Sequence, residues 1–221
     1  MIEFDNFCIL HMPRCGGSFI RDSIQGSQQN EPGHEGWDYH GPFEKDVYGL
    51  IREPQSWYLS LHAYSMANNL VWKQVFGIDD DDGIHTAMRK WITGSHAVDV
   101  EVDVPQIKPQ NIYRQMRDMN IGFWSWWVLH MYGIGGGRVR DEKLAEDMKL
   151  LWLNNRKKDL SMLTEKYGCK TRNALNSAVA YSKNASQHQD PVDVFDRGLM
   201  RVLSEYDAVT LSRALLHTPI L

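Results

Sequence analysis

Residues 7–26 read FCILHMPRCGGSFIRDSIQG and join an apolar run to a helical pattern through a pair of glycines. The run Phe7–His11 shows no polar alternation, which is typical of a strand buried inside a parallel sheet. After the glycines, apolar residues at helical spacing predict a helix that begins near Ser18 and ends at Gly26. A strand, a glycine-containing turn and a helix are the opening of a βα unit.

A second unit of the same kind follows further along the chain. Residues 47–51 (VYGLI) form another apolar run before Arg52, and Pro54 suits the first position of a helix. Three residues at spacing i, i+4 and i+7 extend that helix on one face: Trp57, Leu61 and Tyr64. Two strand–turn–helix units in the first 70 residues predict an α/β fold with a short parallel sheet flanked by helices.

The remainder of the chain shows mainly helical patterns. They cover three segments: residues 86–91, 141–168 and 192–216. Residues 98–104 alternate valine with acid and favour an exposed strand, and four aspartates at 79–82 indicate a solvated loop. Residues 124–127 (WSWW) predict either a buried helix packed by large rings or one wall of a ligand cleft, with Ser125 facing the ligand in the second case.

Length, charge and cysteine usage limit the function classes. The 221 residues suit a single domain over 1–221, and a net charge of −4 argues against a general nucleic-acid binder. Three cysteines, at positions 8, 15 and 169, fit reduced thiols rather than a disulfide framework, and their spacing does not suggest a metal site. With no signal segment and no long apolar stretch, we expect a cytoplasmic protein without a membrane span.

The loop after the first predicted strand has the composition of an anion site. Its glycines allow close approach of the backbone, Arg14 supplies a planar fork of donors, and Ser18 supplies a hydroxyl at the start of the helix. The sequence differs from the nucleotide P-loop G-x-x-x-x-G-K-[ST], because its basic residue precedes the glycines. The alternative is a tight glycine turn with no ligand.

The loop after the second strand repeats this chemistry. Arg52 ends the strand, and Ser60 lies about two turns into the next helix, so both are placed to converge on one phosphate at the carboxyl end of the sheet. The alternative is a surface pair between Arg52 and Glu53, with an ordinary helical serine.

Together, HMPRCGGSF (residues 11–19) and LIREPQSWYLSLHAYS (residues 50–65) resemble the two cofactor loops of the sulfotransferase family, more closely its carbohydrate branch. These enzymes use 3′-phosphoadenosine 5′-phosphosulfate (PAPS) and release 3′-phosphoadenosine 5′-phosphate. The resemblance implies a P-loop-like sulfotransferase fold. It places one set of residues at the 5′-phosphosulfate: Arg14, Cys15, Gly16, Gly17, Ser18 and Phe19. It places Arg52 and Ser60 at the 3′-phosphate.

A third match lies near the C-terminus. Residues 182–188 (SKNASQH) are similar to the closing N-x-S-x-H segment of the family and imply that Lys183, Asn184 and Ser186 bind the cofactor. Two positions depart from the family pattern. Arg14 replaces the usual lysine and Trp57 replaces an arginine of the second loop, so charge stabilisation is the role expected of Arg14, rather than proton donation.

The resemblance also implies a catalytic base. Related enzymes that use a histidine carry it after a glycine between the two loops, where His34 follows Gly33; Glu35 and His40 are the alternatives, as is a loop histidine without a role. The implied reaction moves a sulfuryl group from PAPS to a hydroxyl or amine of a carbohydrate-like or small acceptor, with no metal. Two other functions stay open: a nucleotide-dependent kinase of P-loop type, and a non-catalytic member of the family that binds the nucleotide.

Overall fold

A computed structural model describes residues 1–26, 28–29, 36, 44–68, 71–97, 109–134, 143–171 and 189–218. The strands are β1 (Ile2–Glu3), β2 (Phe7–His11), β3 (Gln28–Gln29), β4 (Asp46–Ile51) and β5 (Lys149–Trp152). They form one sheet in the order β3-β1-β2-β4-β5. β2, β4 and β5 run parallel, whereas β1 and β3 are short antiparallel additions at one edge.

The register of the central strands brings the two predicted loops together. β2 and β4 pair from Phe7 opposite Asp46 to His11 opposite Leu50. Both strands are buried over almost their whole length, which explains their uninterrupted apolar sequence. The chain therefore leaves β2 and β4 at the same edge of the sheet, where ligands bind in open parallel sheets.

Helices account for most of the remaining described residues. They are α1 (Gly17–Ser23), α2 (Pro54–Asn68), α3 (Val71–Val75), α4 (Ile84–Thr93), α5 (Pro109–Met119), α6 (Phe123–Tyr132), α7 (Arg156–Tyr167), α8 (Pro191–Val194) and α9 (Arg197–Leu216), with a 3₁₀ turn at Leu153–Asn155. Within the described ranges, none of them is both long and apolar enough to cross a membrane.

The predicted α/β class is confirmed, as are the strand Phe7–His11 and a helix that begins at Pro54. The helical segment predicted for 192–216 is confirmed from Arg197 onward, but the short α8 is separated from α9 by two residues. The continuous helix predicted for residues 141–168 is wrong. Its middle contains β5, which pairs in parallel with β4, and α7 is the one regular helix among the described residues of that range. Charged residues on both sides of the apolar run KLLW imitate helical periodicity, but the run is buried against β4.

The core joins the sheet to a cluster of aromatic helices. α6 packs against β2 and β4 and also contacts α2, α4 and α9. All of its side chains except His130 are buried, which confirms the interpretation as a helix packed by large rings. The aspartate run is an exposed loop at Asp79, Asp80 and Asp81, as predicted, whereas Asp82 accepts a hydrogen bond of 2.7 Å from Lys90 Nζ and its side chain is only 13% exposed. Residues 98–104 lie outside the described residues.

Candidate functional site

The candidate site consists of the β2–α1 and β4–α2 loops, which leave adjacent parallel strands at the same edge of the sheet. The first loop carries Arg14 and the second carries Arg52. Both arginine side chains are partly buried, so their charges lie at the surface of the fold without extending freely into water. This placement confirms that the two sequence motifs are spatial neighbours.

The backbone of the first loop has a tight, left-handed conformation. The Cys15 N–H donates to the Met12 carbonyl oxygen over 3.3 Å, and Arg14 has φ +65°. Gly16 has φ +85°, in a region that favours glycine. A Cβ atom at Gly17 would lie 2.2 Å from the His11 ring. The glycine pair is therefore required by the chain's own packing.

Arg14 is held by the second helix of the site. Its Nε donates to Ser60 Oγ over 3.4 Å, and its guanidinium lies 4.1 Å from the centre of the Tyr64 ring. Ser60 is 2% exposed, so this contact anchors the arginine to the body of α2. Burial lowers the pKa of Arg14 from its usual value, but a guanidinium keeps its charge at neutral pH.

Arg52 connects the second loop to the first. Its Nε donates to Ser56 Oγ over 2.8 Å, and its Nη1 reaches the Arg14 carbonyl oxygen at 3.5 Å. The sequence predicted that Ser60 and Arg52 share one site, and in the structure Ser60 contacts Arg14 while Ser56, which the sequence did not single out, contacts Arg52. Ser60 and Tyr64 are four residues apart on one face of α2, and that spacing would have identified Tyr64 as a second neighbour of Arg14.

The other predicted residues of the first loop have structural contacts. The Ser18 hydroxyl accepts a hydrogen bond of 3.1 Å from Arg21 Nη2, and Phe19 packs against the core. The Cys15 side chain is fully buried, and burial raises the pKa of its thiol well above the usual value. Cys15 would therefore contribute backbone groups to a ligand, rather than a thiolate. α1 spans only seven residues, so most of the positive charge at this edge comes from the guanidinium groups.

A buried hydroxyl joins the ends of the two central strands. Tyr132 OH donates to the Leu50 carbonyl oxygen over 2.6 Å and accepts from the Met12 N–H over 3.2 Å. It replaces the backbone hydrogen bonds at the point where the strands separate. Because the Tyr132 side chain is fully buried, this contact is shielded from water and holds the bases of both loops together.

Behind the second loop lies a buried carboxyl group. Asp207 of α9 accepts from Ser125 Oγ over 2.6 Å, from the Ser125 N–H over 3.1 Å and from Tyr58 OH over 3.0 Å. The Tyr58 oxygen in turn accepts from the Trp124 N–H over 2.9 Å. Burial raises the pKa of Asp207 to about 6, against the opposing effect of these donors. Of the two alternatives for residues 124–127, the one in which Ser125 faces a ligand does not fit, because the buried Ser125 hydroxyl donates to Asp207.

Several predicted residues lie outside the described residues: His34, Glu35, His40, Lys183, Asn184 and Ser186. One nearby residue, Gly36, is described and buried. A Cβ atom there would lie 2.1 Å from the His130 carbonyl oxygen, so the backbone at Gly36 lies beside α6. Over the described ranges, no group of three or more histidine, cysteine, aspartate or glutamate side chains is arranged to hold a metal ion.

Comparisons with known proteins leave the family of this chain open. No family model, no curated protein and no solved structure matches it.

Proposed function

We propose that the protein is a PAPS-dependent sulfotransferase that acts on a hydroxyl or amine of a carbohydrate-like or small acceptor. The observation that carries the proposal is the contact between Arg14 and Arg52 at the ends of adjacent parallel strands, each with a serine hydroxyl beside its Nε. Sequence motifs similar to both sulfotransferase cofactor loops support the same function.

The donor set fits a ligand with two anionic groups. Guanidinium groups form paired, charge-assisted hydrogen bonds with phosphate or sulfate oxygens, and serine hydroxyls adapt to either. Partial burial strengthens such bonds, because the surrounding dielectric is lower than that of water. In this proposal Arg14 binds the 5′-phosphosulfate and Arg52 binds the 3′-phosphate. Cys15, Gly16, Gly17, Ser18 and Phe19 surround the first group, and Lys183 and Ser186 complete the cofactor site.

Sulfuryl transfer requires stabilisation of negative charge and removal of one proton. PAPS would supply the sulfuryl group: its sulfur–oxygen bond to the 5′-phosphate breaks, a new bond forms to the acceptor oxygen or nitrogen, and the bisphosphate leaves with the electron pair. Arg14 stabilises the charge that develops on the leaving oxygen, as fixed cations do in phosphoryl transfer. His34 accepts the proton of the acceptor group.

A P-loop kinase is disfavoured because the loop lacks the G-K-[ST] ending.

Isothermal titration with 3′-phosphoadenosine 5′-phosphate tests the donor site. Wild type should bind, and Arg52→Ala should bind about 100-fold more weakly, because it loses charge-assisted hydrogen bonds to one phosphate. Arg117→Ala is the matched control: it removes the same charge from an exposed position on α5, where the side chain pairs with Asp118, and its affinity should stay within about twofold of wild type. Absence of binding by wild type would refute the donor site.

A transfer assay with labelled PAPS over glycans, small alcohols, phenols and peptides tests the reaction. His34→Ala should lose about 100-fold or more in turnover while it keeps nucleotide affinity, because only the general base is removed. His85→Ala, a change at an exposed histidine of α4, should leave turnover unaltered. Equal turnover of wild type and His34→Ala would move the base to Glu35 or His40. Nucleotide binding without transfer to any acceptor would identify a non-catalytic binding protein.

A further inference from the structure

Trp57 occupies the position at which the similar cofactor loop carries an arginine. In this protein its side chain is fully buried on α2, and its Nε1 donates to the Pro13 carbonyl oxygen over 2.7 Å. Pro13 directly precedes Arg14, so a side chain of the second loop's helix holds the backbone of the first loop. The indole ring lies edge-on to Phe123, which limits its freedom to move.

Trp124 makes the corresponding contact on the other loop. Its Nε1 donates to the Arg52 carbonyl oxygen over 2.9 Å, and its side chain is fully buried on α6. The Trp124 backbone N–H donates to Tyr58 OH, which in turn donates to the buried Asp207 carboxylate. These two hydrogen bonds anchor the backbone that carries the indole. The backbone beside each arginine is therefore held by an indole N–H from the aromatic core.

We infer that Trp57 and Trp124 are positioning residues that set the separation of Arg14 and Arg52 and thereby favour a ligand with two anionic groups over a ligand with one. The inference rests on the proposed function for the identity of that ligand. Neither indole is assigned a contact with the ligand, and both act through the backbone of the loops.

Geometry explains why the effect should depend on the number of anionic groups. A ligand bound at two points gains the second contact only if the two cations match the distance between its anions. A ligand bound at one point tolerates a shift of the other loop. An indole N–H is a donor with a fixed direction on a rigid ring, so it holds its carbonyl in one place. Arg14 is in the left-handed region, and such a backbone persists only when its surroundings enforce it.

The experiment compares three tryptophan-to-phenylalanine variants, each of which keeps an aromatic ring and removes the N–H. Trp57→Phe and Trp124→Phe lose a loop contact. Trp126→Phe is the matched control, because Trp126 is also buried on α6 but its Nε1 donates to Gln115 Oε1 over 2.7 Å, away from both loops. Affinity is measured for 3′-phosphoadenosine 5′-phosphate, adenosine 5′-monophosphate and adenosine 3′-monophosphate, below the unfolding transition of every variant.

Trp57→Phe and Trp124→Phe should each lose about tenfold in affinity for the bisphosphate and less than about twofold for either monophosphate. Trp126→Phe should match wild type with all three ligands, even if its unfolding temperature falls. A purely structural role predicts equal losses for the mono- and bisphosphates, or the same loss in all three variants, and either result would overturn the inference.

Hydrogen exchange separates this inference from the proposed function. The amides of residues 14–16 should exchange faster in Trp57→Phe, and those of residues 52, 53, 55 and 56 faster in Trp124→Phe, with no change at either segment in Trp126→Phe. If wild type does not bind the bisphosphate, the proposed function is refuted and the ligand selectivity with it. If wild type binds but the loop variants bind equally well and exchange normally, only the positioning role is refuted.

Discussion

The two ends of the parallel strands are supported in different ways. At the amino end, Asp46 accepts from Lys166 Nζ over 2.9 Å, from Lys149 Nζ over 3.2 Å and from Tyr167 OH, at a partly exposed position. At the carboxyl end, hydroxyl groups, carbonyl groups and buried aromatic side chains hold the arginine loops. Exposed ion pairs contribute little to stability, whereas loss of a buried hydrogen bond costs more. Substitutions of residues that support the carboxyl end should therefore lower stability more than substitutions at the amino end.

The two carboxyl groups behind these ends show the contrast most clearly. The neighbouring Tyr167 hydroxyl and the two lysines hold the pKa of Asp46 well below its usual range. Burial raises the pKa of Asp207 to about 6, although Ser125 and Tyr58 donate to it. One carboxyl group is stabilised in its charged form and the other in its protonated form, so the two should respond to pH with opposite signs.

The largest effect is expected for Asp207→Asn. Because the pKa of Asp207 is raised from 3.8 to about 6, its contribution to stability is complete below about pH 4 and disappears as the pH rises through 6. Asparagine resembles the protonated form at every pH. The free energy of unfolding of the variant, relative to wild type, should therefore increase by about 2 kcal/mol between pH 4 and pH 7.

Urea unfolding of both proteins at several pH values measures that difference. Subtraction of the wild-type curve removes the contributions of the other acids, including Asp46. A difference that stays constant from pH 4 to pH 7 would show that the native carboxyl group titrates normally. Such a result would remove the contrast between the buried and the exposed carboxyl groups.

Much of the sheet was predictable because it follows from local sequence. β2 and β4 are uninterrupted apolar runs that end at breaking residues, and Pro54 begins a helix in the structure as predicted. β5 was not predictable in the same way. Its four residues are surrounded by charged residues at helical spacing, and only its pairing with β4, about 100 residues earlier, makes it a strand.

Some residues of the candidate site were also predictable from local sequence, whereas others were not. Arg14, Arg52 and Ser60 were identified from the motifs, and the structure brings all three together. The roles of Trp57 and Trp124 depend on tertiary contacts with backbone carbonyl groups, which no spacing rule encodes. Ser125 shows the same dependence: the sequence left open whether this polar residue among tryptophans faces a ligand, and its partner is Asp207, 82 positions away in the sequence.

A smaller difference is expected between two glycines with similar backbones. Gly16 lies at the carboxyl end with φ +85°, and Gly168 ends α7, next to Tyr167 of the Asp46 cluster, with φ +65°. Alanine at either position should cost about 1 kcal/mol because of its left-handed conformation. A Cβ atom at Gly16 would also lie 2.8 Å from Leu153 Cδ1, whereas the space around Gly168 is open. Gly16→Ala should therefore lose about 2–3 kcal/mol in total.

Thermal or urea unfolding of the two alanine variants tests this difference, and bisphosphate titration adds a functional readout. Gly16→Ala should also weaken nucleotide binding, because Leu153 and the first loop must shift to accept the methyl group. Gly168→Ala should bind as wild type does. Equal losses of stability in both variants would show that Leu153 moves away without cost. The carboxyl end would then be no more tightly packed around its glycine than the amino end is.

The smallest effect is expected for Asp46→Asn. Because the pKa of Asp46 is lowered in the native state, its contribution to the free energy of unfolding is present above the unfolded-state pKa of 3.8. That contribution is lost as the pH falls through the native-state pKa. Its side chain is 39% exposed, so solvent screens the contacts with the lysines, and the variant should lose less than about 1 kcal/mol at pH 7. That loss should shrink in acid and in high salt, and nucleotide affinity should not change. A loss of several kcal/mol, or weaker nucleotide binding, would show that the amino end supports the site as strongly as the aromatic core does.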